Sequence, residues 1–178
     1  VKQQGFSLIE MLLAVAISSV LMMAVGKMLP LLQRDALQLQ LRVQLQEELL
    51  QLVLLMEKAV RRAGYCHGVC SGEALQIQPR CLLVRWDENS NGKWEGSEHA
   101  ESERWGYRLR NQSLEVLRGA SGCEGTGWER ISDPRIVVLD ELQLLQQQQT
   151  IRIVLSGHVR QFPQLREQTE QWSYGGNL

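Results

Sequence analysis

The sequence has almost no excess of charge of either sign: 19 Lys plus Arg stand against 20 Asp plus Glu, a formal net charge of −1 over 178 residues. A surface that tracks nucleic-acid phosphates shows as a basic excess, so nucleic acid is disfavoured as a partner. Histidine is scarce as well, with only His67, His99 and His158. No G-x-S-x-G elbow occurs, and no glycine loop that could cradle phosphate precedes a helix. Glu98, Glu101 and Glu103 near His99 are explained more cheaply as a charged surface loop than as acid/base groups, and the chain reads as non-enzymatic. Internal repeats are missing too. A mean hydropathy of −0.21 excludes a polytopic membrane protein and requires any apolar excess to be local.

That local excess lies at the N-terminus. Phe6 to Val25 carries a single charge, Glu10, and twenty helical residues span roughly 30 Å, the thickness of a bilayer core. A secretory signal peptide needs a short apolar stretch and a small-residue cleavage site, whereas Gly26, Lys27 and Met28 here run on into Pro30 and further leucines. The leader Val1 to Gly5 carries Lys2, which the positive-inside rule keeps cytoplasmic while the rest of the chain is translocated. Glu10 is the anomaly. A carboxylate at the head of a membrane helix costs a few kcal/mol unless it snorkels to the interface or meets a cation.

Gly5, Phe6, Ser7, Leu8, Ile9 and Glu10 resemble the processing site of type IV prepilins and type II secretion pseudopilins. The resemblance implies that a prepilin peptidase cuts between Gly5 and Phe6 and methylates the new Phe6 amine, with the apolar stretch retained. It also implies that Glu10 meets the Phe6 amine of a neighbouring subunit, which supplies the cation that a buried carboxylate demands. Val1 in first place suggests a trimmed or alternative start.

After Pro30 a leucine-rich segment runs without Gly or Pro to Gly64, ending in Arg61 and Arg62, the pattern of a long amphipathic helix with a glycine stop. Pro30 is expected to bend it locally. Leu37 to Leu45 also alternates as a strand would, but length and the lack of turn residues favour helix. Glu57 and Arg61, one turn apart, read as an ordinary helix pair.

From about Tyr65, Gly, Trp, Cys and Asn rise and short β-type runs appear. Strands are expected at Leu75 to Trp86, Arg104 to Arg110, Ser113 to Arg118, Ile136 to Leu145 and Thr150 to His158. The polar link Asn111-Gln112 has the shape of a hairpin turn. The tail after Phe162-Pro163 carries little pattern and is expected to be loosely held. The expected architecture is α+β: a leader over 1–5, a transmembrane helix over 6–28, an amphipathic stem over 29–64 and a β-rich head over 65–178. The hairpin followed by two strands resembles the head of J-type pseudopilins and their type IV pilus counterparts.

Cys66, Cys70, Cys81 and Cys123 all fall in the head, and an even number in a translocated domain reads as two disulfides with three possible connectivities. A zinc set drawn from Cys66, His67, Cys70, Cys81 and His99 lacks paired short-spaced knuckles and sits in an oxidising compartment. Trp86, Trp94, Trp105 and Trp128 read as sheet core in preference to an exposed patch.

Asp87 to Glu98 matches the calcium-loop pattern D-x-[DN]-x-[DN]-G-x5-E at every specified place. Asp87, Asn89 and Asn91 would point inward, Gly92 would make the turn, and the Lys93 carbonyl would contribute. Glu95 would hold a bridging water and Glu98 would close the shell with two oxygens. The alternative is a solvated Asn/Gly turn. Calcium is the one cofactor this pattern suggests, and binding through two neutral asparagines would be weak.

The residues give an anchored, cysteine-bridged, β-rich head, and the resemblance implies a minor pilin in the inner membrane, its head in the periplasm, extracted into a filament or its tip. Its implied partners are other minor pilins, the major pilin, prepilin peptidase and the inner-membrane assembly platform. The alternatives are a minor pseudopilin of a type II secretion system, or a membrane-anchored periplasmic protein that binds calcium or another ligand.

Overall fold

A computed structural model describes residues 7–178. Ser7 opens the first element as a helix cap. Its hydroxyl accepts the Ile9 N–H at 3.3 Å, and the Glu10 carboxylate reaches back to the Ser7 N–H at 2.9 Å, the two halves of a capping box. The helix that follows, α1, covers Leu8–Arg62, and its assignment runs unbroken through Pro30. A proline inside a helix costs about 3 kcal/mol, which the strong helix formers on either side offset. Leu37 to Leu45 is helical, as its length demanded. The helix stops where Gly64 adopts φ 83°, the left-handed conformation that favours glycine at a C-terminus.

The chain divides into two compact units, Val1–Leu41 and Arg42–Leu178. In the first, the helix is apolar all round and its side chains from Leu8 to Leu32 are exposed. An 18-residue window of it reaches a mean hydropathy of 2.4, so it is long and apolar enough to cross a membrane.

In the second unit α1 becomes one-sided. Leu45, Leu49, Leu52, Val53, Met56 and Val60 are buried, and their spacing of three and four places them on one helix face. Glu57 pairs with Arg61 at 2.5 Å, the expected i,i+4 contact.

Two antiparallel sheets complete this unit. The first has β1 (Leu75–Gln78), β2 (Cys81–Arg85), β3 (Arg104–Arg110), β4 (Ser113–Arg118) and β5 (Glu129–Arg130) in sequential order. The second has β6 (Val137–Gln147), β7 (Thr150–Val159) and β8 (Phe162–Tyr174), also sequential. The long helix with antiparallel sheets is the α+β, pilin-like arrangement the sequence implied.

The single strand expected over Leu75 to Trp86 is two. Gln78 pairs with Cys81 and Leu75 with Val84, around a turn made by Pro79, which has no N–H to donate, and Arg80 at φ 60°. The Asn111-Gln112 hairpin forms, with both residues at positive φ (51° and 62°) as a type I′ turn requires. The tail expected to be loose is the 13-residue strand β8. Apart from the buried Ser173, its inward positions are only half-buried, and most are polar. Glu167, for instance, accepts from Arg42 at 2.5 Å, so the apolar alternation that marks a strand is missing.

The first sheet is covered on both faces. On one lie Leu82, Tyr107, Leu109 and Leu114. On the other, Cys81 and Leu83 meet Ala120, Cys123, Leu117 and Trp128 in a second small core. Gly106 sits between Leu83 and Leu117 in the ladder, and a Cβ there would stand 2.6 Å from Trp128 Cη2. Beside it Arg108 pairs with buried Glu115 at 2.7 Å and lies 4.2 Å over the Trp128 ring, so the cation is satisfied on two sides.

Candidate functional site: the helix start and the Asp87 loop

Gly5 and Phe6, the expected cleavage pair, lie outside the described residues. Glu10 is on the first turn of α1, and among the described residues its carboxylate is engaged only by the Ser7 N–H. It therefore keeps lone pairs for a further cation while already capping its helix.

The four cysteines form two disulfides, Cys66–Cys70 and Cys81–Cys123. Of the three connectivities the sequence allowed, this one joins neighbours in a tight ring and ties β2 to the segment after β4. The zinc set is thereby dismantled. The four sulfurs are bonded in two separate pairs, and His99 is exposed on a separate turn. Among the described residues, Cys66, Cys70 and Asp87 do bring ligand-type atoms within 4.8 Å of one another, but there both sulfurs are spent in the disulfide.

Asp87 lies just past β2 and is 1% exposed. Its carboxylate accepts backbone N–H groups from Asn91 at 3.0 Å, His67 at 2.9 Å and Gly92 at 2.9 Å. Burial would raise its pKa, but the amides of His67, Gly92, Asn91 and Ser90 together outweigh it and hold the group below the ordinary aspartate value. Asn89 Oδ1 accepts the Asn91 N–H at 3.0 Å, and Asn91 Oδ1 accepts the Lys93 N–H at 2.9 Å. Ser90 (φ 58°) and Gly92 (φ 82°) supply the left-handed backbone that turns the loop. Asn89 Oδ1 and Asn91 Oδ1 each accept one N–H and have a second lone pair that a hard cation can share, whereas Asp87 Oδ2 already accepts from both His67 and Gly92. Glu95 Oε1 accepts from Asn91 Nδ2 at 2.6 Å, while among the described residues Glu95 Oε2 is buried with no donor other than the neighbouring Glu103 carboxyl. The Asn91 bond and then the Glu103 carboxyl lower the Glu95 pKa, and the same contact adds to burial in raising that of Glu103.

The sequence assigned Glu98 to this loop, and the structure places it exposed beyond Gly96, with no side-chain hydrogen bond among the described residues. The acid that enters the loop is Glu103, 1% exposed at the foot of β3. Its Oε1 accepts the Glu88 N–H at 2.6 Å and the Asn89 N–H at 3.2 Å, and burial pushes its pKa up. No spacing rule connects Glu103 to Asp87. The link is made by β2 and β3 lying side by side.

Trp86 and Trp105 stack with ring centroids 5.9 Å apart, and together with Leu55, Ala59, Arg62 and Tyr107 they line a cavity of about 210 Å³. Trp86 belongs to the core, as expected, and Trp105 and Trp128 are half-buried. Burial raises the Tyr107 hydroxyl to about 12.

Comparison with known proteins bears on both ends of the chain. The family model described as prepilin peptidase-dependent protein B matches residues 38–175, and that of the prokaryotic N-terminal methylation motif matches residues 1–26. A curated relative, prepilin peptidase-dependent protein B of Escherichia coli (strain K12), is 46% identical over 149 residues, covering 83% of this chain and 80% of the relative. No solved structure matches. With the methylation motif on an apolar helix suited to membrane anchoring, and the family match spanning most of the remainder, the chain belongs to the prepilin peptidase-dependent protein B family, pilin-like proteins related to type IV pilins.

Proposed function

We propose that the protein is a minor pilin of a type IV pilus. In this reading it is cut between Gly5 and Phe6, methylated on Phe6, and assembled with other minor pilins into a complex that primes the filament and stays at its tip. Before extraction it spans the inner membrane once with its head in the periplasm. Its partners are prepilin peptidase, the other minor pilins, the major pilin and the inner-membrane assembly platform. Its role is structural, not catalytic.

The observation that carries this reading is Glu10 on the first turn of an exposed apolar helix, next to the processing motif. Exposed stems drive association by packing, and a carboxylate inside that packing sets register when it meets a neighbour's Phe6 amine. Glu10→Ala should leave membrane insertion and processing intact but abolish filament priming. Unchanged piliation at normal protein levels would defeat the register role. The same architecture serves a type II secretion pseudopilin. Rescue of secretion, with no rescue of piliation, in strains lacking the corresponding subunits would decide for that alternative.

A second reading concerns calcium in the Asp87 loop, through Asp87, Asn89, Asn91, the Lys93 carbonyl and Glu95. It is favoured by the Glu95 and Glu103 carboxyls brought together, a pair whose shared proton a cation would replace, in a loop already turned by Gly92. Glu98 can join only if its turn closes inward. Calcium should raise the melting temperature of the detergent-solubilised protein, and Asp87→Asn should remove the rise. No rise in the parent protein would dismiss the site.

A further inference from the structure

The ring closed by Cys66 and Cys70 is the cross-link that touches the Asp87 loop, and it does so through its own backbone. Inside the ring, the His67 N–H points at Asp87 Oδ2 from 2.9 Å, the same oxygen that accepts the Gly92 N–H. Gly68 lies so close to Gly92 that a Cβ on it would stand 2.9 Å from the Gly92 Cα. Just before the ring, the Tyr65 carbonyl accepts both the Asp87 N–H at 2.9 Å and the Trp94 indole N–H at 3.1 Å. Neither segment has regular secondary structure of its own; the ring segment supports the loop at Asp87 and Gly92, and Glu103 supports it at Glu88 and Asn89.

The two disulfides differ in access. Cys66 and Cys70 are partly exposed and Val69 within the ring is 94% exposed, whereas Cys81 and Cys123 are 2% and 9% exposed in an apolar core. A thiolate must reach a sulfur in order to attack it, so exposure decides which bond opens first.

We propose that the Cys66–Cys70 disulfide is a selectively reducible latch that fixes the Asp87 loop, so that the loop's order and its affinity for a divalent cation depend on the redox state of that bond. The statement about cation affinity rests on the calcium reading above; the statement about loop order does not. The step is an ordinary exchange. A dithiol reductant attacks one sulfur as thiolate and the other cysteine leaves as thiolate. The second thiol of the reductant then displaces the first cysteine, leaving two cysteine thiols and one cyclic oxidised reductant. Once the ring is open, His67 is no longer tethered over Asp87. Loss of one hydrogen bond to a charged group corresponds to a weakening of about tenfold or more.

The test uses the full chain in detergent micelles with dithiothreitol as reductant. Free thiols are alkylated and located by peptide mass, amide exchange is followed by mass spectrometry, and calcium is titrated calorimetrically. Cys66 and Cys70 should become alkylated while Cys81 and Cys123 stay bonded. Exchange of the amides from Asp87 to Glu95 should accelerate about tenfold, and calcium affinity should fall by a similar factor. The Cys66→Ser/Cys70→Ser variant should show the same loop exchange without reductant. Early alkylation of Cys81 or Cys123, or loop exchange unchanged after the ring opens, overturns the latch. Calcium affinity equal in both redox states overturns its regulatory part. No calcium binding in the oxidised protein, with exchange accelerating as expected, leaves the latch standing and removes the calcium reading instead.

Discussion

Removing the two disulfides one at a time should cost very different amounts. Cys81–Cys123 closes a sequence separation of 42 residues and Cys66–Cys70 only 4. In the chain-entropy model the stabilisation grows with the logarithm of loop length, giving about 4 kcal/mol for the long loop and about 2 kcal/mol for the short one. Local packing widens the difference, because Cys81 and Cys123 sit with Leu83, Leu117 and Trp128 in the small core, while the other pair is partly exposed. Alanine is the right replacement at the buried pair, since serine would place hydroxyls among apolar neighbours. At about 4 °C per kcal/mol for a domain of this size, the Cys81→Ala/Cys123→Ala protein should melt about 15 °C below the parent and the Cys66→Ala/Cys70→Ala protein about 8 °C below. The assay is thermal unfolding in detergent followed by near-UV circular dichroism, which reports the packed tryptophans. Equal losses, or a larger loss at Cys66–Cys70, would refute the loop-length and burial reasoning together.

Two further perturbations test the packing on either face of the first sheet. Gly106→Ala places a Cβ 2.6 Å from Trp128 and 2.8 Å from the Ala120 Cβ, and overpacking of that kind costs about 1–3 kcal/mol. Chemical denaturation should show that loss with a changed tryptophan emission, and a loss under about 0.5 kcal/mol would mean that Trp128 yields freely. Tyr107 ionises at about 12 when folded, against 10.0 ordinarily, because burial disfavours its phenolate. The folded state therefore holds the proton when the unfolded chain has lost it, and stability should fall as pH rises from about 10 to about 12, by up to about 3 kcal/mol. Tyr107→Phe should lose that alkaline step in pH-dependent unfolding curves; an unchanged step would assign it elsewhere.

Much of the architecture was legible in the sequence because its signals are local. The apolar run from Phe6 to Val25 and the leucine-rich segment after it mark a helix by their length, Gly64 stops the helix by its own conformation, and Asn111-Gln112 makes a two-residue turn. The misread parts depend on partners distant in sequence. β8 lacks an apolar alternation because its inner face meets polar groups such as Arg42, so its strand character is set by β7 and not by its own pattern. Pro79-Arg80 is the exception, a local break marked by the proline itself inside a run of strand-type residues. In the Asp87 loop the turn built by Asp87, Asn89, Asn91 and Gly92 is readable from spacing. Glu103 was read only as surface charge, because its approach depends on pairing between β2 and β3, and the disulfide partners could not be chosen from counts alone.

The central claim is that this chain is matured as a pilin, and the intact mass and N-terminal residue of the membrane-extracted protein test it most directly. Expressed with a prepilin peptidase, the chain should begin at Phe6 and carry one added methyl group; without the peptidase, the leader through Gly5 should remain. An unprocessed chain in both cases would contradict the account and leave α1 as a plain membrane anchor.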